Sequence, residues 1–301
     1  MTGLARQGMV RRKSSIIPFG VFMRVALFFL CSLFLNVASA RVVNYQTNNF
    51  KDIAQKYASL HVPMSRTLMV FDLDDTLMTM SRPLGSVGWW DWQSGLLKNP
   101  EIKGPRFATS MEHLSRVQKV LFERVPMELT DKDALPFLQQ AAARGATLLG
   151  LTARGSELQH VTFTQLRDNG FIAKDASLFR QNGLRIHHKT HVKGAFSCPA
   201  FKQAPAYHQG VLFLSGGDKG QALLCALSQS DRSYKAILFV DDSRFNNRAI
   251  AKVFAESRDI LVLNVNFTRE HAKAQDARTN PDTQKHMLAE WKRLKKSLAA
   301  A

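Results

Sequence analysis

Residues 67–77, TLMVFDLDDTL, decide the fold of this chain. The apolar run TLMVF is followed at once by three carboxylates, Asp72, Asp74 and Asp75. An apolar run of this length that stops at polar residues is typical of a buried strand. Carboxylates packed this closely repel one another, so another group must offset their charge. The stretch therefore predicts a buried strand that ends at a charged site.

The remainder of the chain alternates predicted strands with predicted helices. The strands are Thr67–Asp72, Ala146–Thr152, Val211–Ser215, Tyr234–Asp241 and Ile260–Val265. The helices are Asn49–Ser59, Met111–Arg124, Asp133–Ala143, Glu157–Asp168, Lys219–Leu227, Phe245–Ser257 and Asp282–Leu298. We expect residues 78–110 to be irregular. This alternation favours an α/β fold, a mostly parallel sheet with helices on both faces.

Four of the predicted strands are followed by polar residues. In a parallel sheet, ligands bind beyond the carboxyl ends of the strands. The four ends are DLDDT (72–76), TAR (152–154), GGDKG (216–220) and DDS (241–243). The predicted topology thus brings carboxylates, a hydroxyl group and a lysine to one rim of the sheet.

A hard divalent cation would offset the charge of these carboxylates. Mg²⁺ takes oxygen ligands, usually one or two carboxylates together with water and phosphate oxygens. We expect a metal site of Asp72, Asp74, Asp241 and Asp242. In it, Asp72 and Asp242 give carboxylate oxygens, Asp74 gives its backbone carbonyl, and Asp241 helps Asp242 to anchor the ion. A structural cation site without turnover is the alternative.

The motifs FDLDDTL, GLTAR, GDKG and FVDDS resemble those of the haloacid dehalogenase superfamily over about residues 67–265. The resemblance implies a Rossmann-like core and phosphoryl transfer through an aspartyl-phosphate. It makes Asp72 the nucleophile and Asp74 the general acid and then base. It also assigns the phosphoryl oxygens to Thr152 and Lys219. Phosphatases of the superfamily have a carboxylate two residues after the nucleophile, and dehalogenases lack it. With Asp74 at this position, the chain resembles the phosphatases.

A narrower resemblance is to exported, haloacid-dehalogenase-like bacterial proteins of unknown function. It rests on the tryptophan-rich stretch GWWDWQ and on LSGGDKGQALL and VDDSRFNN. An insert at about residues 78–132, between the first and second motifs, can fold over the site, and we expect it to form a cap. We expect Trp89, Trp90 and Arg154 to contact substrate, although packing of the tryptophans is also expected.

Residues 1–40 have the pattern of a signal peptide. Basic residues precede the apolar run VALFFLCSLFLNV, and Ala38-Ser39-Ala40 supplies small residues for cleavage. An uncleaved membrane anchor is the alternative. We expect a mature chain 41–301 that is exported to the periplasm or secreted.

The chain is strongly basic, with a formal charge of +17 that falls to +12 without the five basic residues of residues 1–40. Such a charge favours anionic partners or serves solubility. The sequence has no recognisable nucleic-acid module. The basic terminal helix, about residues 282–298, carries an apolar stripe. We expect this stripe to pack on its own domain, and weak contact of the helix with an anionic membrane surface is the alternative.

The cysteines and histidines leave two questions open. Cys198 and Cys225 either form a disulfide or remain thiols. His187, His188 and His191 lie near Cys198, but their spacing fits no standard zinc site. We also expect Asp75 to be a solvated or capping residue.

Together these features predict an exported, Mg²⁺-dependent phosphatase acting on small phosphate monoesters, for example a nucleotide whose base stacks on tryptophan. The alternatives are a catalytically weak or inactive protein of the same fold with a binding or effector role, and a polyanion-binding surface protein.

Overall fold

The structure is a computed structural model, and it describes residues 42–174, 176–186 and 198–300. Within these ranges the strands are β1 (Val42–Thr47), β2 (Thr67–Phe71), β3 (Met78–Met80), β4 (Met127–Leu129), β5 (Thr147–Thr152), β6 (Ile172–Ala173), β7 (Ala176–Ser177), β8 (Ala206–His208), β9 (Val211–Phe213), β10 (Ala236–Asp241) and β11 (Leu261–Phe267). The predicted leader and the three histidines lie outside the described residues.

Most helices of the described ranges connect successive strands of one sheet along the chain. They are α1 (Phe50–Ala58), α2 (Val87–Lys98), α3 (Met111–Arg124), α4 (Ala134–Ala143), α5 (Gln159–Asp168), α6 (Leu178–Gln181), α7 (Lys219–Ser228), α8 (Arg244–Phe254), α9 (His271–Thr279) and α10 (Pro281–Ala299). Short 3-10 turns occupy Met64–Arg66 and Ser156–Leu158.

The main sheet of the described chain has seven strands in the order β1-β11-β10-β2-β5-β9-β8. All neighbouring pairs are parallel except β8 and β9. The α/β prediction with a mostly parallel, Rossmann-like sheet is therefore confirmed. The chain runs outward from β2 to β5 and β9, and then returns to place β10 on the other side of β2. This reversal opens a crevice at the carboxyl ends of β2 and β10.

The sheet is buried on both faces because successive side chains of a strand point to opposite sides. In β2, Leu68 and Val70 join one hydrophobic cluster, whereas Met69 and Phe71 join the other. Strands buried in this way need apolar residues along their whole length, which explains the unbroken run TLMVF. The two clusters fix the sheet and hold the ends of its central strands in place.

The prediction that residues 78–110 are irregular is wrong. They contain β3, which pairs antiparallel with β4, and the twelve-residue helix α2. Ser86 caps this helix by accepting a hydrogen bond from the backbone N–H of Trp89. The helical pattern is hard to see in the sequence because two glycines and three tryptophans interrupt the usual polar face. The strand β1 and the polar helix α9 were also missed.

The apolar stripe of α10 packs on its own domain, as predicted. Met287 and Trp291 are buried, and the Trp291 ring lies 6.0 Å from that of Phe107 in the insert. Among the helices that the structure describes, none is long and apolar enough to cross a membrane.

Cys198 and Cys225 form a disulfide, which settles the first of the two open questions. Their Cα atoms lie 5.8 Å apart, and the bond joins α7 to the start of the described segment 198–300. Near this bond, the ring of Phe201 lies against Gly217, in the loop that leads into α7.

A pair of glycine substitutions tests the packing of α2. A Cβ on Gly88 would lie 2.2 Å from the carbonyl oxygen of Ala274 in α9, whereas a Cβ on Gly95 would meet nothing within 4 Å. We expect Gly88→Ala to lower the free energy of unfolding by about 1–3 kcal/mol through overpacking. Gly95→Ala, in the same helix, should raise it by roughly 0.5–1 kcal/mol. Urea unfolding of both variants measures this, and equal effects would contradict the packing described.

Candidate functional site

Asp72 lies at the crevice between β2 and β10. Its backbone N–H donates to the carbonyl oxygen of Val240, which continues the pairing of the two strands by one residue. The residue is 6% exposed. The parallel ladder thus carries a carboxylate to the carboxyl end of the sheet and holds it in a largely dry place.

The Lys219 ammonium group lies between two carboxylates. Its Nζ atom is 2.6 Å from Oδ1 of Asp72 and 2.7 Å from Oδ2 of Asp241. All three side chains are buried, and Lys219 is the first residue of α7. Burial opposes the charge of Lys219, but Asp241 and Asp72 outweigh it and raise the pKa of the ammonium above its usual value. The lysine therefore remains charged and links three elements.

Asp241 is held by hydrogen bonds from several donors besides Lys219. Asn246 donates to both carboxylate oxygens, at 3.0 and 3.2 Å, and the backbone N–H of Ser243 donates at 2.9 Å. These contacts fully satisfy a carboxylate that is 0% exposed. Asp241 thus fits a supporting role better than that of a direct ligand.

Asp242 differs from Asp241 because its carboxylate accepts no hydrogen bond from the described part of the chain. Its backbone is fixed instead: its N–H donates to Thr76, and its carbonyl accepts from Nε2 of His271 at 2.8 Å. Carboxylate oxygens of Asp72, Asp241 and Asp242 all lie within 4.8 Å of one another. The site therefore gathers three acidic groups around one lysine.

This crowding changes the protonation of the cluster. Burial raises the pKa of Asp72 to about 7; Lys219 opposes the rise, and Asp241 and Asp74 add to it. Burial also raises the pKa of Asp242 well above its usual value, and the charges of Asp241 and Asp72 add to this. The single positive charge of Lys219 does not offset the negative charge of the three carboxylates. A hard cation bound here would offset the remainder.

Asp74 pairs with Arg154 in a bidentate ion pair. Nε and Nη2 of Arg154 donate to the two Asp74 oxygens at 2.8 and 2.7 Å. Nη1 donates to Thr162 and Gln165, and Nη2 also contacts the sulfur of Met127. These contacts use all five guanidinium N–H groups. Arg154 therefore positions Asp74, and it has no free donor for the substrate contact that the sequence predicted.

A cavity of about 570 Å³ opens above this cluster. Asp72, Asp74, Lys219 and Asp242 line it from the sheet side, and the insert lines it with Trp90 and other apolar side chains. The predicted cap segment does lie beside the site.

Three predicted site residues do not line the cavity: Asp241, which is fully buried, Trp89 and Thr152. Trp89 is fully buried and packs edge-on against Phe107 at 5.5 Å, so its predicted contact with substrate is not available. The hydroxyl of Thr152 accepts from the backbone N–H of Arg154 at 3.1 Å, and the residue is 0% exposed. In this structure Thr152 shapes the loop that carries Arg154.

Asp75 is buried at 3% exposure, so the expectation of a solvated residue is wrong. It adopts a left-handed backbone conformation with φ of 52°, and its Oδ1 accepts from Thr79 at 2.8 Å. The tight turn after β2 turns its side chain inward. Burial raises the pKa of Asp75 to about 7; the hydrogen bond from Thr79 opposes the rise, and Asp74 adds to it.

Two supporting residues were not predicted from the sequence. His271 begins α9 and fixes the backbone of Asp242, but nothing near it in the chain connects it with the four motifs. Glu157 lines the cavity from the 3-10 turn. Its position three residues after Arg154, the end of the TAR stretch, is the one signal that could have indicated it.

The fold and site together define an α/β protein with an acidic cluster at the carboxyl ends of its central strands. Residues 46–301 match a family described as protein of unknown function, DUF2608, and the chain belongs to this family. No curated protein and no solved structure matches the chain.

The substitution Asp75→Asn tests the buried environment of this carboxylate. Because the pKa of Asp75 is about 7 in the folded state and 3.8 in the unfolded chain, the folded chain retains a proton that the unfolded chain loses between these values. The wild-type free energy of unfolding should therefore fall as pH rises from 4 to 7. Asparagine does not titrate, so the free energy of unfolding of the variant should increase relative to that of the wild type as pH rises. Urea midpoints across this range measure the effect, and a difference independent of pH would contradict it.

Proposed function

We propose that this protein is a Mg²⁺-dependent phosphatase of the haloacid dehalogenase type that hydrolyses phosphate monoesters. The observation that carries the proposal is the contact of Lys219 with Asp72, within a cluster that includes Asp242. A buried carboxylate beside a fixed cation and below an open cavity is suited to attack an electrophilic phosphorus atom. The four motifs of the sequence support the same role.

The donor set fits Mg²⁺. Asp72 and Asp242 offer carboxylate oxygens that are not saturated by protein donors, and the backbone carbonyl of Asp74 would complete the protein ligands. Mg²⁺ bound there would supply positive charge to the phosphoryl oxygens. Asp241 would support the site through Lys219 and Asn246.

The protein residues perform the two chemical steps. In the first, an oxygen of Asp72 bonds to phosphorus while the bond from phosphorus to the alcohol oxygen breaks, and Asp74 gives that oxygen a proton. In the second, Asp74 takes a proton from water. The water oxygen bonds to phosphorus, and the bond to Asp72 breaks to release inorganic phosphate. Lys219 offsets negative charge throughout.

One contact favours the alternative of a weakly active binding protein. Both oxygens of Asp74 accept from Arg154, so Asp74 must exchange a partner before it can protonate a leaving group. A bidentate pair of this kind favours the carboxylate over the carboxylic acid. In this second candidate the fold and the cation site are retained, and the cavity binds a ligand without turnover.

Export belongs to the same proposal. The pattern of residues 1–40 and the disulfide between Cys198 and Cys225 both suit an oxidising compartment such as the periplasm or the exterior.

Hydrolysis of 4-nitrophenyl phosphate tests the proposal. The purified chain should release nitrophenol with Mg²⁺ and lose activity with a chelator. Asp72→Asn should lower kcat by at least on the order of 10³-fold because it removes the nucleophile. Asp168→Asn, an exposed substitution in α5, is the matched control and should leave kcat unchanged. A wild-type protein that is inert across a broad panel of phosphate esters would favour the binding alternative.

A further inference from the structure

The charges around the cavity contrast with the charge of the chain. The whole sequence carries +17, yet five carboxyl groups and only two basic groups line the cavity. The carboxyl groups are Asp72, Asp74, Asp75, Glu157 and Asp242, and the basic groups are Arg154 and Lys219. The cavity is therefore an acidic site within a basic protein.

Neither basic group is free to receive a second anion. Lys219 lies between Asp72 and Asp241, and Arg154 uses its donors on Asp74 and its neighbours. Within the described chain no other lysine or arginine lines the cavity. A bound divalent cation would offset the acidic cluster and the phosphoryl group, and it would leave no positive charge for a further anionic substituent.

The insert lines its part of the cavity with apolar side chains and not with charged ones. Residues 78–132, all described, contain eight lysines and arginines, and none of them lines the cavity. The apolar side chains that the insert does place there are Met80, Val87, Trp90, Met111, Phe122 and Met127. The half-buried Trp90 offers a flat aromatic surface, and methionines adapt to irregular apolar shapes.

Glu157 makes the selection against anions stronger. It is exposed on the 3-10 turn, it lines the cavity, and no ion pair joins it to another described residue. An unpaired carboxylate at this position repels a second negative charge on a ligand.

We infer that the cavity takes phosphate monoesters of apolar, ring-bearing alcohols that carry no second anionic group. This inference rests on the proposed function for the phosphate end of the site. It excludes sugar bisphosphates, nucleoside diphosphates and phosphorylated carboxylic acids as good substrates. Glu157 and Trp90 are the specificity-determining residues.

Binding of phosphonates, which cannot be hydrolysed, tests the inference separately from turnover. The probes are benzylphosphonate and its 4-carbamoyl and 4-carboxy derivatives, titrated calorimetrically in the presence of Mg²⁺. The last two have nearly the same shape and differ in charge. We expect the carboxy probe to bind the wild type on the order of tenfold more weakly than the carbamoyl probe.

Two variants identify the residues responsible. Glu157→Gln should narrow the difference between the two probes to roughly threefold or less, because it removes the repelling charge. Glu123→Gln, an exposed control on α3 outside the cavity, should leave the difference unchanged. Trp90→Ala should weaken the binding of benzylphosphonate but not the binding of methylphosphonate, which has no ring.

The outcomes separate the two proposals. Equal or tighter binding of the carboxy probe, or no binding of any probe, would overturn the inference about the cavity. Selective binding of the neutral probes without hydrolysis of benzyl phosphate would support the cavity inference and reject the phosphatase. Hydrolysis of benzyl phosphate, together with equal binding of the carboxy and carbamoyl probes, would support the phosphatase and reject the cavity inference.

Discussion

The buried ammonium group of Lys219 is the contact on which the site depends. It lies between Asp72, which follows β2, and Asp241, which ends β10, and it comes from the first turn of α7. Removing one partner of a buried ion pair leaves the other charge uncompensated, at a cost of about 3–5 kcal/mol. The lysine therefore fixes the relative positions of two strand ends and a helix start. The same contact keeps Asp72 close to Asp242. Without the lysine, electrostatic repulsion among the carboxylates would separate them.

The sheet makes this arrangement possible. Strands with apolar residues on both faces are anchored by two hydrophobic clusters, so their carboxyl ends meet at fixed positions. The loop residues that follow are then held by their backbones, as when Asp72 donates to Val240 and Asp242 donates to Thr76. A rigid support of this kind lets acidic side chains remain close although their charges oppose it.

Much of the sheet could be predicted from the sequence, and much of the insert could not. The run TLMVF and the similar run at β10 carry their own signal, because a strand buried on both faces needs unbroken apolar residues. Helix α2 carries no such signal, since its position depends on the contact of Gly88 with α9, which is distant in the chain. The acidic cluster followed from the strand ends, and Asp72, Asp241 and Asp242 do meet. The roles of Arg154 and Trp89 did not follow, because burial and partners are decided by distant residues.

We propose that Asp72 and Asp242 share a cation, and calorimetric titration with Mg²⁺ tests this most directly. We predict that the wild type binds a single ion and releases protons as it does so at pH 7, because Asp72 has a pKa of about 7 and metal ligands must be deprotonated. Asp242→Asn should abolish this binding, and Asp168→Asn should preserve it. A wild type that takes up no Mg²⁺, or an Asp242→Asn variant that binds it equally well, would contradict the account.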